Sequence, residues 1–165
     1  MRSLMDIKPD CSIANKVALL ETAGLINGMS PEEAATLASV AEERKYPKGS
    51  VILREDSKTR DLFVICSGRV SIRLSLPTES GREEVIYTMR EGQIFGELSL
   101  VDGSPRSATV RAEEEVITCA YEYDTLNTLL DQQPRIGYLL MRNIASIISA
   151  RVRNTNMLWR NSLVW

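Results

Sequence analysis

The chain has 165 residues, 44% of them hydrophobic and 25% charged, the balance of an ordinary globular protein with enough length for one real core. Its formal net charge of −2 argues against a molecule built throughout to bind nucleic acid, and the lack of any histidine removes His-based triads, the commonest general acid–base side chain and most zinc sites. No run approaches the roughly 18 apolar residues of a spanning helix, and the polar start MRSLMDIKPDCSIANK is unlike a signal peptide. A cytoplasmic protein with no membrane segment is expected.

The elements follow in chain order. Residues 14–23, ANKVALLETA, have the spacing of a short first helix. The next helix carries its own start signal: Ser30 as N-cap, Pro31 at the first helical position and Glu33 closing a capping box, with Leu37, Val40 and Ala41 as its apolar stripe. YPKGSVILRED then reads as a turn and a strand, and DLFVICSGRVSIRLSLP as two strands joined at Ser67-Gly68. GREEVIYTMREGQIFGE holds another strand, a turn at Glu91-Gly92 and a short strand; SATVRAEEEVITCAYEY supplies two more. Seven or eight short strands at regular spacing point to a sandwich, barrel or jelly roll. Cys66 and Cys119 fall inside the apolar strand runs and are expected to be buried thiols in a reducing compartment. Cys11, in a polar segment, has no assigned role.

The last third is helical. YDTLNTLLDQQ has a plausible N-cap at Asp124. From Pro134 to about Arg160 the pattern runs on, with Ile136, Leu140, Ile144, Ile148, Val152, Thr155 and Trp159 on one face. Such a helix is about 35–40 Å long, more apolar surface than a small sheet easily covers. Two readings fit: the stripe packs wholly on the roll, or part of it pairs with the same helix of a second copy. The second is the expectation, a homodimer through the C-terminal helix. After Pro134 there are five arginines and no acidic residue, so the first 133 residues carry −7. A solvated helix face accounts for those arginines, with contact to an acidic partner, a membrane surface or nucleic acid as the alternative. The tail MLWRNSLVW, with Trp159 and Trp165, fits either a docking element for a protein partner or a disordered tail.

One stretch breaks the strand rhythm: FGELSLVDGSPRSATV, residues 95–110. Backbone N–H groups at a turn through Glu97-Leu98-Ser99 favour an anion, and Gly96 admits close approach to the backbone. Arg106 adds a guanidinium whose fork suits phosphate oxygens, and Ser107 and Ala108 are small enough for their own N–H groups to reach the same anion. Glu97 only accepts, so it needs a donor such as a sugar hydroxyl. An anion site beside a hydroxyl acceptor fits a sugar phosphate or nucleotide. A Glu97–Arg106 salt bridge closing the strand connection fits the same spacing.

FGELSLVDGSPRSATVRA resembles the phosphate-binding cassette of the cyclic-nucleotide-binding domain family, whose members include bacterial cAMP-receptor transcription factors, kinase regulatory subunits and gated-channel C-termini. YPKGSVILREDSKTRDLFVICSGRVSI resembles the early strands of its β-roll, and ARVRNTN its helix beside the base, so the likeness spans roughly residues 20–160. The resemblance implies a mainly β protein with flanking α-helices: a double-stranded, jelly-roll-like β-roll with N-terminal helices and a long C-terminal helix. It implies a segment 1–23, a core 24–133 and a helix and tail 134–165. The ligand it implies is a cyclic mononucleotide, cAMP favoured and cGMP the alternative, with no metal and no catalytic residue. Gly96, Glu97, Leu98 and Ser99 line ribose and phosphate, Glu97 accepting from the 2′-hydroxyl; Arg106, Ser107 and Ala108 hold the phosphate; Thr155 or Asn156 meets the purine's amino edge. Two positions depart from the pattern. Asp56 stands where a glycine is frequent, so a changed loop with intact binding is expected. Ser107 stands where kinase-type domains carry Ala or Thr, although bacterial cAMP receptors also carry Ser. With no helix-turn-helix, pseudosubstrate or channel segment in the chain, a stand-alone receptor that moves its C-terminal helix on binding is expected. The alternative is a degenerate fold serving as a dimerisation or scaffold module. An enzyme is a weak third reading, because a phosphodiesterase would need metal ligands.

Overall fold

A computed structural model describes residues 12–77 and 81–163. Cys11 and Trp165 lie outside them. In chain order the elements are α1 (Ile13–Thr22), α2 (Pro31–Ser39), β1 (Glu42–Tyr46), β2 (Val51–Leu53), β3 (Leu62–Ser67), β4 (Arg69–Ser75), β5 (Glu83–Arg90), β6 (Ile94–Phe95), α3 (Glu97–Asp102), β7 (Thr109–Ala112), β8 (Val116–Tyr121), α4 (Tyr123–Gln132) and α5 (Pro134–Ser162).

The strands form two four-stranded antiparallel sheets, ordered β1-β8-β3-β6 and β2-β7-β4-β5. Phe63, Ile65, Val70, Phe95, Val110 and Val116 fill the space between them, and the Phe63 and Phe95 rings stack with centroids 4.9 Å apart. A second core joins the outer face of the first sheet to the helices, through Val64, Cys119 and Tyr121 below and Leu20, Leu37, Leu126, Ile136, Leu140 and Ile144 above. The first sheet is therefore covered on both sides. That explains why β8 is apolar without alternation: all six of its residues are buried. The expected β-roll with N-terminal helices and a long C-terminal helix is the observed architecture.

The Ser30 capping box forms as its spacing predicts, Ser30 N–H donating to Glu33 Oε2 at 2.8 Å and Glu33 N–H to Ser30 Oγ at 3.2 Å. Local details differ at two points. Helix α2 stops at Ser39, short of the Val40 and Ala41 expected on its stripe, and EERKY is strand β1, paired with β8 from Glu42↔Ala120 to Tyr46↔Val116. As the outermost strand it has one half-covered face, so its polar composition hid it. The cap of α4 is Glu122, whose carboxylate accepts from Thr125 N–H at 2.9 Å, not Asp124 two residues later.

Helix α5 divides in two. Its first half is held down by Ile136, Leu139, Leu140 and Ile144 and by buried Asn143, which donates to the Leu25 carbonyl at 2.7 Å and the Asn27 carbonyl at 3.1 Å. Arg135 Nε donates to Glu33 Oε1 at 2.8 Å, tying the start of α5 to α2. Every residue from Val152 to Leu163 is exposed. The apolar stripe thus packs on the roll only as far as Ile148, and Val152 and Trp159 have nothing over them among the described residues. No described helix is long and apolar enough to cross a membrane.

Candidate functional site

The chain turns sharply where β6 ends. Gly96 has φ +81°, the left-handed region, and a Cβ there would lie 2.7 Å from the Asp61 carbonyl oxygen and 2.8 Å from an Arg106 guanidinium nitrogen. Only glycine fits both the angle and the space. The turn that the sequence places at Glu97-Leu98-Ser99 is the short helix α3, whose first-turn N–H groups lack intrahelical acceptors and receive no side-chain cap. They border a small, part-open cavity in the roll. Gly96, Glu97, Leu98, Ser99, Arg106, Ser107 and Ala108 all line it, with an apolar floor of Leu53, Ile72, Met89, Phe95 and Val110 and with Tyr87 at its side.

Arg106 is the centre of the site. It is 2% exposed, and its guanidinium points inward. Nε donates to Thr59 Oγ1 at 2.9 Å, and the two terminal nitrogens donate to the Gly96 and Asp61 carbonyl oxygens, each at 2.8 Å. All three acceptors are neutral, and no carboxylate among the described residues is paired with it. The Glu97–Arg106 salt bridge is therefore absent. Burial pulls the Arg106 pKa below its usual range, and the nearby negative charges of Asp61 and Glu97 act against that. It stays protonated all the same. The backbone at Arg106 is fixed too: its carbonyl accepts from Asp56 N–H at 2.9 Å and its N–H donates to the Ser57 carbonyl at 2.8 Å. Asp56 has φ +63°. That is the left-handed region, which aspartate tolerates better than most residues.

Glu97 has a different partner. Its Oε1 accepts from Arg151 Nη1 at 2.5 Å, while Arg151 Nη2 donates to the Ile94 carbonyl at 2.6 Å. Glu97 is 4% exposed and its side chain faces the cavity beside Arg151. The long helix thus reaches the site through Arg151. Thr155, one turn further on, is exposed, and its hydroxyl donates to the Arg151 carbonyl at 3.0 Å; Asn156 is exposed as well. Neither lines the cavity. The polar residue on the α5 stripe has found a local partner on its own helix.

Arg151, Asp61 and Thr59 were not legible as site residues. Arg151 is one of five arginines that read as a solvated helix face, and the only signal was its place one turn before Thr155. Asp61 works through its backbone on Arg106 and through its side chain elsewhere: Oδ2 accepts from Arg44 at 2.9 Å and Oδ1 from Tyr123 N–H at 3.1 Å. It joins the anion end of the cavity to β1 and to the start of α4. Among the described residues no group of acidic and cysteine side chains is arranged to hold a metal ion.

Residues 43–133 match the family model described as the cyclic nucleotide-binding domain. A CRP-like cAMP-activated global transcriptional regulator of Mycobacterium tuberculosis is 30% identical over 138 residues, covering 84% of this chain and 59% of that protein. A cAMP-dependent protein kinase regulatory subunit of Emericella nidulans is 32% identical over 113 residues, covering 68% of this chain and 26% of that protein. The chain therefore spans well under two thirds of the length of these relatives. Among solved structures, a cyclic nucleotide-binding domain from Methylobacillus flagellatus superposes with a TM-score of 0.76 at 27% identity, covering 86% of this chain and 80% of that one. With more than half of its residues matched by that model, the chain belongs to the cyclic nucleotide-binding domain family.

Proposed function

We propose that this protein is a receptor module for a cyclic mononucleotide, with cAMP the favoured ligand and cGMP the alternative. The observation that carries the reading is the buried Arg106 guanidinium, which has only neutral acceptors and faces a cavity. A buried cation is costly unless an anion meets it. A cyclic phosphate in the cavity would take the remaining Arg106 N–H donors, the Ser107 and Ala108 N–H groups and the open first turn of α3. The single negative charge of such a phosphate matches the single guanidinium. Gly96, Leu98 and Ser99 would bound the sugar.

Glu97 would accept from the ribose 2′-hydroxyl while Arg151 holds its other side. That pair joins ligand to helix. A nucleotide that reorients Glu97 changes the hold on Arg151, and with it the position of the exposed half of α5. In the structure Thr155 and Asn156 stand off the cavity; a movement of α5 over the mouth would bring them to the base edge. Ligand shifts such an equilibrium only by its differential affinity for the two positions. A second copy of the chain is the proposed cover for the exposed Val152, Leu158 and Trp159, giving a homodimer through α5; a protein partner is the other candidate for the same tail. Two cysteines in reduced form fit a cytoplasmic setting. The module would bind rather than catalyse.

Calorimetry with cAMP and with cGMP tests the reading. Saturable heat with a purine cyclic nucleotide is expected, and no heat with either would favour the scaffold alternative. Arg106→Leu should weaken binding at least about 100-fold, since it removes two charge-assisted hydrogen bonds. A thermal melt of that variant must accompany it, because the freed Gly96 and Asp61 carbonyls cost about 1–3 kcal/mol of stability. Unchanged affinity in a folded variant would refute the assigned role.

A further inference from the structure

Cys66 and Cys119 take no part in the cavity. They lie on β3 and β8, antiparallel neighbours at the centre of the helix-facing sheet. Val64 pairs with Cys119 and Ile65 with Thr118, but the next partner, Ile117, is opposite Ser67. The register slips by one residue, which leaves Cys66 as the extra residue of a bulge. Both side chains lie on the helix side of the sheet, in the same apolar cluster. Their sulfur atoms are 3.3 Å apart, with no disulfide between them. A disulfide needs about 2.05 Å, so closing the pair takes a movement of about 1 Å, at the one point of β3 where the ladder is already loosened. Exposure is unequal. Cys119 is 1% exposed, whereas Cys66 is only partly covered. Cys66 is thus the more exposed residue of the pair, and Cys119 lies buried beside it.

We propose that Cys66 and Cys119 form a reversible dithiol–disulfide pair oxidised by small hydroperoxides. The Cys66 thiol gives up its proton and its sulfur attacks one oxygen of the peroxide; the O–O bond breaks, Cys66 becomes a sulfenic acid, and with hydrogen peroxide the expelled hydroxide takes up that proton and leaves as water. The sulfur of Cys119 then attacks the Cys66 sulfur, the S–O bond breaks, its thiol proton goes to the departing hydroxide, and a second water leaves. Two thiols have given two electrons to the peroxide. The product ties β3 to β8 across 53 residues of sequence, and a dithiol reductant restores it. The pair sits at the far end of β3 from Asp61, so the inference does not rest on the nucleotide reading.

The test uses the full chain carrying Cys11→Ser, which removes the one other thiol. The protein is titrated with hydrogen peroxide, its remaining thiols are alkylated, and the digest is mapped by mass. The expected product is a monomer about 2 Da lighter, with the Cys66 peptide linked to the Cys119 peptide. Both thiols should return on treatment with dithiothreitol, and the oxidised form should melt several degrees higher, because the cross-link restricts the unfolded chain. With Cys119→Ala added, Cys66 should yield a sulfenic acid trapped by dimedone. With Cys66→Ser added instead, Cys119 should react at least about tenfold more slowly than the pair. The proposal is overturned by oxidation that stops at Cys66 with Cys119 still open to alkylation after unfolding, by links only between separate molecules, or by two intact thiols after excess peroxide. Should the Cys119 variant fail to fold, the peptide map of the Cys11→Ser protein decides alone.

Discussion

The two ends of the cavity are built in opposite ways. At the anion end, Arg106 is pinned by Thr59, Asp61 and Gly96, and its backbone is bonded to the turn at Asp56 and Ser57. All of these belong to the roll, and most are main-chain groups. At the other end, Glu97 is held by Arg151, on a helix that is exposed from the next residue onward. In the proposed reading, the fixed end pre-organises charge for binding, and the Glu97–Arg151 end would couple binding to a change in the position of α5.

Breaking the fixed end should have the largest effect. Gly96→Ala forces a side chain into the left-handed region and against the Asp61 carbonyl and Arg106. It should cost about 2–3 kcal/mol in urea unfolding and lower nucleotide affinity with it; a change below about 0.5 kcal/mol would mean that the turn is not as constrained as its geometry implies. Arg151→Ala attacks the other end. Removing the partly exposed Arg151 side chain opens the cavity beside buried Glu97 to water, so the stability loss should be about 1–2 kcal/mol. The sharper reading is in amide exchange: nucleotide should alter protection in α5 beyond Arg151 in the parent protein and leave it unaltered in the variant. Affinity should fall much less than for Arg106→Leu, and an equal fall would erase the proposed division of labour. Asp56→Gly is the smallest change. Relief of a positive φ at aspartate should stabilise the protein by up to about 1 kcal/mol while leaving affinity within twofold, because the bonds to Arg106 use only main-chain atoms of this turn. A large loss of affinity would give the Asp56 carboxylate a role that its exposed turn does not suggest.

Much of this protein was present in local patterns. The Ser30-Pro31-Glu33 signal, the Ser67-Gly68 and Glu91-Gly92 turns, the strand periodicity and the long α5 stripe are decided by neighbours a few residues apart, where capping, turn geometry and alternation act. The residues expected to form the cassette, Gly96 to Ser99 and Arg106 to Ala108, come from one short stretch, and all of them line the same cavity. What only the folded chain decided lies at long range. Glu97 meets Arg151 across 54 positions, and Arg106 meets Thr59 and Asp61 across 47 and 45. The edge strand β1 needed β8 to define it, and Cys66 needed a bulge to face Cys119. No local spacing encodes such pairs, because each is set by how two sheets and a helix pack.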